Sequence, residues 1–230
     1  MIRSFALGAA ALTLLSTGAL AADAAHPAVV ELFQSQGCSS CPPANANVIA
    51  LSARPDVLAL SFQVTYWDQL GWKDTFGSPQ YTARQWDYAR ALRHDNVWTP
   101  QVVVNGRTDV VGIQKGEIEQ AIVRVDRGAS GPAVTVADGR VTIAGPAPAH
   151  PAGVWLVRYD PNIVQVPIRR GENGGLTLPH KNVVRSLTRL GDWSGAARSY
   201  VLPAQGTAGL KSAILIQAGP GGPILAAARV

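Results

Sequence analysis

The chain has 230 residues, of which 47% are hydrophobic and 15% are charged. This composition is typical of a globular protein and excludes a largely disordered chain. Two cysteines are too few for the disulfide scaffold of a small secreted domain. The formal net charge is +5, but the basic residues are not interleaved with aromatic ones in a pattern typical of nucleic-acid binding. We therefore expect no nucleic acid as a partner.

The first 21 residues have the pattern of a secretory signal peptide. Arg3 supplies a positive charge, residues 5–15 form an apolar run, and Ala19-Leu20-Ala21 fits a signal peptidase site. The apolar run is well short of the roughly 20 residues needed to cross a bilayer, so we expect no stable membrane insertion. The sequence predicts a cleaved signal peptide over residues 1–21 and a periplasmic or secreted bacterial protein.

Strand and helix patterns alternate from residue 22 to residue 129. The second helix has a clear start, because Ser78 is a favourable N-cap and Pro79 suits the first helical position. The pattern predicts an α/β domain over residues 22–129. Its strands are predicted over Val29–Phe33, Val57–Val64, Gln101–Val104 and Asp109–Val111, and its helices over Ala44–Ala53, Gln80–Arg93 and Lys115–Asp126.

The second half changes in character at about residues 129–132, where helix signals stop and glycine and proline become dense. Asp138-Gly139 between two alternating segments is a strong hairpin signal, and further short strands follow at turn-like spacing. Residues 130–230 are therefore predicted to form a smaller, all-β, sandwich-like domain. Residues 22–130 carry a net charge of −2 and residues 131–230 a net charge of +6. The basic half has two interpretations, an acidic partner or a solvated face.

The two cysteines, Cys38 and Cys41, have the spacing that closes a small disulfide ring at the start of a helix. The attacking species in disulfide exchange is a thiolate, which a helix N-terminus stabilises. The first sulfur of such a motif is usually exposed and nucleophilic. We therefore assign Cys38 as the attacking thiol and Cys41 as the resolving thiol of a catalytic pair.

Two other interpretations of the cysteine pair stay open. A permanent structural disulfide is possible, although so small a ring constrains the unfolded chain little. A metal site, for example in an exported copper carrier, needs two further ligands, and no histidine stands at a recognisable ligand spacing. We predict no metal site and no cofactor. The four histidines of the chain are His26, His94, His150 and His180.

Several motifs along the chain resemble one exported thioredoxin-like family, known as domain of unknown function 1223. They are VELFQSQGCSSCPPA, VTYWDQLGWKDTFGSPQYTARQ, TPQVVVNGR and RGENGGLTLPHKNVVR, and they span most of the sequence after the signal peptide. The resemblance implies a thioredoxin-like fold over the first domain, but no substrate. In thioredoxin-like folds a cis-proline lies beside the cysteine pair, and Thr99-Pro100 stands at the matching place before a strand. Pro100 is thus expected to shape a peptide groove, with Thr99 beside it.

Two features depart from an ordinary thioredoxin. Leu32 stands where the family of thioredoxins has a buried aspartate, and Glu31 next to it is expected on the opposite face of the strand. Pro42-Pro43 follows the second cysteine, so the helix is expected to begin close to Pro42 with Cys41 at its cap. The helix dipole is then expected to stabilise a thiolate on Cys38 less directly.

A loop rich in aromatic residues follows the second strand and supplies Tyr66, Trp67, Asp68 and Trp72. These residues are predicted either to bind a peptide substrate or to pack an internal interface. Asp68 is also a hypothetical proton acceptor for Cys41. The glycine-rich segment RGENGGLTLPHKNVVR is predicted as a hairpin loop, or as the lining of a groove between the domains.

The sequence as a whole favours thiol–disulfide exchange with protein thiols or disulfides. The alternative is a non-catalytic binding protein for copper or for a protein partner. The sequence carries no hydrolase triad motif and no phosphate-binding glycine loop, so we expect neither a hydrolase nor a nucleotide-dependent enzyme.

Overall fold

The computed structural model of the protein describes residues 21–230. Apart from its last residue, the predicted signal peptide over residues 1–21 lies outside the described residues. Within residues 21–230, no helix is both long enough and apolar enough to cross a membrane.

The first half follows the predicted order of strands and helices. Ser78 caps the second helix, because its hydroxyl accepts a hydrogen bond from the Gln80 N–H and Pro79 occupies the first turn. The first helix begins at Cys41, three residues earlier than its apolar pattern indicated. The elements are β1 (Ala28–Gln34), α1 (Cys41–Leu51), β2 (Val57–Gln63), a short 3-10 helix (Asp68–Leu70), α2 (Pro79–Leu92), β3 (Gln101–Val104), β4 (Thr108–Val110) and α3 (Lys115–Arg124).

These strands stand side by side in the order β2-β1-β3-β4. β1 is parallel to β2 and antiparallel to β3, and β4 returns antiparallel to β3. Helices α1 and α3 pack on one face of the strands, and α2 packs on the other. All residues of β1 and β2 are buried, because helices cover both faces.

The second half contains short strands and no helix within the described residues. The hairpin predicted at Asp138-Gly139 is present, and both residues have positive φ as such a turn requires. β9 was missed by the sequence prediction, because its four residues include a proline. The strands are β5 (Ala133–Ala137), β6 (Arg140–Ala144), β7 (Ala152–Asp160), β8 (Val164–Pro167), β9 (Thr177–His180), β10 (Val183–Trp193), β11 (Arg198–Val201), β12 (Lys211–Gln217) and β13 (Ile224–Arg229).

The large sheet runs across the predicted domain boundary. Its order in the described residues is β13-β12-β7-β10-β2-β1-β3-β4, and β10 pairs in parallel with β2 where Val183 stands opposite Ser61. Strands of the second half thus extend the sheet of the first half, and the smaller, all-β, sandwich-like domain over residues 130–230 stays a prediction. An unpaired β2 would leave a buried apolar strand at a sheet edge, and β10 satisfies that edge. The division of the chain at residues 129–132 stays a prediction.

A second sheet of three strands, in the order β11-β6-β5, packs on one face of the large sheet. Val141 and Ile143 of β6 contact the buried side chains of β7 and β12 in this layer. Strands β8 and β9 form a separate two-stranded hairpin. This hairpin carries the glycine-rich segment, and it is the element that brings the second half to the cysteine pair.

Candidate functional site

Cys38 and Cys41 are joined as a disulfide in the loop between β1 and α1. Their Cα atoms are 5.4 Å apart, which is ordinary for a disulfide. Ser40 is the N-cap of α1, and its side chain makes no capping hydrogen bond. Pro42 and Pro43 stand in the first turn and have no N–H to donate. Few N–H groups therefore remain at this helix start to stabilise a thiolate on Cys38. The expectation of Cys41 at the helix cap is corrected, because Ser40 is the N-cap and Cys41 is the first helical residue.

Both cysteines are buried, with exposed fractions of 0% for Cys38 and 1% for Cys41. The expectation of an exposed first sulfur is thus wrong for this state of the protein. The segment that connects β8 to β9, residues 168–176, lies against the backbone of the cysteine motif, and we call it the cover loop. Asn173 in this loop donates from its Nδ2 to the backbone carbonyl oxygens of Gln36 and Cys38, each at 2.9 Å.

A second residue of the cover loop also binds the motif. The Glu172 carboxylate accepts hydrogen bonds from the backbone N–H of Ser39 at 3.1 Å and from its hydroxyl at 2.7 Å. The hydroxyl bond and then the backbone bond hold the pKa of Glu172 below its usual value. Gly171 lies against Trp72, where an added Cβ would come within 3.3 Å of the Trp72 Cβ. Residues 170–176 of the glycine-rich segment therefore belong to a hairpin loop, as predicted, and they also reach the cysteine motif, whereas residues 177–180 form strand β9.

Thr99 and Pro100 lie beside the cysteine pair. The peptide bond between them is cis. The Ser40 hydroxyl donates to the Thr99 carbonyl oxygen at 3.4 Å, and the same hydroxyl lies 3.4 Å from the Cys38 Sγ. Trp67 Nε1 donates to the Thr99 hydroxyl at 2.7 Å. The structure thus brings together the predicted residues Cys38, Thr99, Pro100 and Trp67.

The remaining predicted residues of the aromatic loop are placed around this cluster. Trp72 Nε1 donates to the Gln36 side-chain oxygen at 2.9 Å, which ties the aromatic loop to the cysteine loop. Asp68 accepts a hydrogen bond from the Asp74 N–H at 3.0 Å, so its carboxylate serves the fold of its own loop. The role of Asp68 as a proton acceptor for Cys41 stays a prediction. Burial raises the pKa of Tyr66 to about 12, so its hydroxyl keeps its proton.

Sequence reasoning missed Asp74, which is the buried carboxyl of this region. It is 3% exposed, and its two oxygens accept the N–H groups of Gln36 at 2.7 Å and Phe76 at 2.9 Å. Burial raises its pKa to about 6, although the backbone hydrogen bonds oppose the change. In the sequence Asp74 stands between Lys73 and Thr75, which is typical of an exposed loop and gives no signal of burial.

Glu31 and Leu32 point to opposite faces of β1, as the alternation predicted. Leu32 packs against α1 and α3, whereas Glu31 meets α2 and is fully buried. The Glu31 carboxylate accepts from Arg84 Nε at 2.8 Å and from the Tyr88 hydroxyl, and Arg84 Nη1 donates to Gln217 at 3.0 Å. Burial alone would lower the pKa of Arg84, but the attraction of Glu31 outweighs it and raises the pKa. This ion pair is complete in itself and does not reach the cysteines.

The histidines required by the metal interpretation lie in separate places. His26 contacts Asp23 at 3.1 Å, and His94 contacts Asp109 at 3.1 Å. Between residues 21 and 230, no three His, Cys, Asp or Glu side chains form a group suited to a metal ion. His180 ends β9, is 1% exposed, and has no hydrogen-bond partner on either ring nitrogen. Burial lowers its pKa to about 4.

Comparison with known proteins gives a family and a fold. The family model described as "Protein of unknown function (DUF1223)" matches residues 29–217. Protein AGR_C_4864 from Agrobacterium tumefaciens, known from an X-ray crystal structure, is 31% identical with a TM-score of 0.75. The match covers 90% of this chain and 94% of that chain.

A second solved structure, HBP35 of Porphyromonas gingivalis, has a TM-score of 0.60 at 14% identity. The match covers 90% of this chain and 75% of that chain, and at this identity it indicates a shared fold only. The comparison with curated proteins gives no match. The family match spans most of the chain and agrees with the resemblance found in the sequence motifs. The chain belongs to the family of proteins of unknown function designated DUF1223.

Proposed function

We propose that the first half of this chain is a thioredoxin-like unit, and that Cys38 and Cys41 exchange disulfides with a protein substrate. The strand order β2-β1-β3-β4 supports this proposal, with α1 and α3 on one face and α2 on the other. We also propose that the protein acts in the periplasm or outside the cell, where disulfides persist. The signal-peptide pattern of residues 1–21 supports that location.

The single observation that carries the proposal is the position of the disulfide. It stands between the end of a buried strand and the start of a helix, next to Thr99-Pro100 and Trp67. A purely structural link has no need of this place, whereas an exchanging pair needs a nearby backbone against which a substrate segment can be aligned. Thr99 is attached to the motif through Ser40 and to the aromatic loop through Trp67.

The oxidised pair described here can accept two electrons. A substrate thiolate attacks the Sγ of Cys38, the Cys38–Cys41 bond breaks, and Cys41 leaves as a thiolate. A second substrate thiolate then attacks the substrate sulfur of the mixed disulfide, the bond from that sulfur to Cys38 breaks, and Cys38 leaves as a thiolate. The products are a substrate disulfide and the Cys38–Cys41 dithiol, and the two protons released by the substrate thiols end on the two cysteines. The reverse sequence reduces a substrate disulfide and returns the pair to its oxidised form.

A trapping experiment tests this assignment. In Cys41→Ala the mixed disulfide on Cys38 has no resolving thiol, so it accumulates and is detected by non-reducing electrophoresis with a model disulfide protein. Cys38→Ala is the matched control, because it keeps one cysteine of the motif but lacks the attacking sulfur. Mixed disulfide in the first variant alone supports the proposal, whereas equal trapping in both or none in either contradicts it.

One observation favours a second candidate, a non-catalytic binding protein in which the disulfide is permanent. Both sulfurs are buried, and buried structural cysteines are chemically inert. The two candidates differ in a simple measurement. A permanent link resists reduction by excess dithiothreitol as long as the protein stays folded, whereas an exchanging pair is reduced without unfolding.

A further inference from the structure

We propose that the cover loop, residues 168–176, occupies the groove in which the protein substrate of the cysteine pair binds. Glu172 and Asn173 then make the contacts that a substrate segment makes after displacing the loop. This inference rests on the proposed exchange function and names the class of its substrate.

The contacts themselves support this assignment. Asn173 and Glu172 bind the Gln36 and Cys38 carbonyl oxygens, the Ser39 N–H and the Ser39 hydroxyl. Three of these four groups belong to the backbone on either side of the Cys38 sulfur. They are the groups to which an approaching polypeptide would bind while presenting its own sulfur to Cys38. The cover loop therefore binds the backbone groups that would align a substrate segment beside Cys38.

The way the cover loop is attached indicates that it can be displaced. Asn173 and Ile168 are its buried side chains, while Arg169, Arg170 and Glu172 are exposed. Its further internal bonds are short-range backbone contacts that the loop can keep when it moves. A segment with few buried apolar contacts and exposed polar ones opens at low free-energy cost.

The same contacts define the chemistry of the substrate. Ser39 presents two donors, which match a carboxylate, and the carbonyl oxygens of Gln36 and Cys38 match a side-chain amide. Gly171 fits against Trp72, where an added Cβ would come within 3.3 Å of the Trp72 Cβ. The groove thus favours a polypeptide segment with a small residue, then an acidic residue, then asparagine or glutamine. Such a segment would lie beside the substrate's reactive cysteine.

The experiment opens the cover loop without touching the cysteines. Asn173→Asp replaces the two N–H donors by a carboxylate that faces two carbonyl oxygens, so the cover loop loses its buried anchor. The readout is the rate at which dithiothreitol reduces the disulfide, followed by alkylation and mass spectrometry. We expect a rate at least about tenfold higher than in the unaltered protein, as for a shift of about 1.4 kcal/mol in the opening equilibrium. Arg170→Ala, in the same loop but exposed, is the control and should leave the rate unchanged.

A peptide probe tests the substrate class on the opened variant. The peptide Arg-Gly-Glu-Asn-Gly-Gly, which copies part of the cover loop, should slow the reduction of Asn173→Asp. The peptide Arg-Gly-Gln-Asp-Gly-Gly, with the acid and amide exchanged, should not. Equal effects of the two peptides would overturn the inferred specificity.

The outcomes separate this inference from the proposed function. Circular dichroism first confirms that Asn173→Asp remains folded. If the unaltered protein exchanges disulfides and the variant is reduced at the same rate, the cover-loop inference is wrong and the proposed function stands. If neither protein is reduced while folded, the proposed function itself fails.

Discussion

Among the polar contacts that connect the halves of this chain, two junctions differ in burial. The first, the buried junction, consists of Glu31, Arg84, Tyr88 and Gln217 beneath α2. The second, the cover-loop junction, consists of Gln36, Cys38 and Ser39 with Glu172 and Asn173. Each junction contains a contact between residues more than a hundred positions apart in the sequence. We expect the free-energy cost of breaking the two junctions to differ.

The difference in burial assigns a role to each junction. In the buried junction a full charge pair is removed from water, so loss of one partner leaves an uncompensated charge. In the cover-loop junction Glu172 is exposed, and water can replace most of its contacts. We therefore propose that the buried junction fixes the fold and that the cover-loop junction opens for function. The following predictions test that contrast.

The largest expected effect is that of Arg84→Met. The substitution leaves the Glu31 carboxylate buried without its cation, so we expect the free energy of unfolding to fall by about 3–5 kcal/mol. Urea denaturation followed by circular dichroism measures it. The double variant Glu31→Leu with Arg84→Met removes both charges and should recover most of the loss. A fall of less than about 1 kcal/mol in the single variant would mean that the junction does not fix the fold.

The second effect is a change in the pH dependence of the free energy of unfolding when His180 is replaced. His180 ends β9, the strand that follows the cover loop. Its pKa is about 4 in the folded protein, below the ordinary value of 6.5, so the unfolded chain binds the proton more readily. The contribution of His180 to the free energy of unfolding is fully present above about pH 6.5. It is lost as the pH falls towards 4, by about 3 kcal/mol in all. His180→Phe should remove this acid sensitivity.

Asp74 changes the free energy of unfolding with pH in the opposite direction to His180, and this makes the His180→Phe test more sensitive. Its folded pKa of about 6 lies above the ordinary value of 3.8, so its contribution is lost as the pH rises from about 4 to 6. In the unaltered protein, the effects of His180 and Asp74 on the free energy of unfolding oppose each other as the pH changes. In His180→Phe the stability should therefore fall as the pH rises through this window. The exposed His150→Phe is the control, and an unchanged profile in His180→Phe would refute the assignment.

A smaller effect is expected for Trp67→Phe, which removes the hydrogen bond from the indole N–H to the Thr99 hydroxyl. The loss of one such bond costs about 1 kcal/mol, measured by the midpoint of urea denaturation. Trp98→Phe is a matched control, because the buried Trp98 N–H has no partner to lose. Equal losses in the two variants would mean that the bond to Thr99 contributes nothing beyond the size of the ring.

The smallest stability effect is expected for Glu172→Ala in the exposed part of the cover-loop junction. The midpoint of urea denaturation should not change measurably, because the carboxylate is solvated with or without Ser39. The rate of disulfide reduction should nevertheless rise, though less than in Asn173→Asp. A clear loss of stability with no change in reduction rate would mean that this contact serves the fold after all.

Local sequence signals identified much of the site. Ser78-Pro79 predicted the start of α2, and the alternation along β1 placed Glu31 and Leu32 on opposite faces. Cys38 and Cys41 were identified by their short motif between a predicted strand and helix, and Thr99-Pro100 by its resemblance to the cis-proline position of thioredoxin-like folds. Such signals depend on neighbouring residues, and those are visible in the sequence.

Contacts between distant segments were not predictable from the sequence. Asn173 and Cys38 are 135 positions apart, and the pairing of β10 with β2 also joins residues more than a hundred positions apart. Hydrophobic periodicity reports which side of an element is buried, but not which other element covers it. The cover loop, the continuous sheet and the burial of Asp74 therefore required the structure. The cover loop has a glycine-rich polar composition that predicts a turn and gives no indication of its binding site.

The central claim is that Cys38 and Cys41 form an exchangeable pair, and the reduction potential of the folded protein tests it most directly. The protein is equilibrated with glutathione buffers of known potential, and its thiols are alkylated and counted by mass spectrometry. We predict a reduction potential above about −300 mV, within reach of biological thiols, with Cys38 alkylated first. A pair that is reduced only far below about −300 mV, or only on unfolding, would contradict the claim.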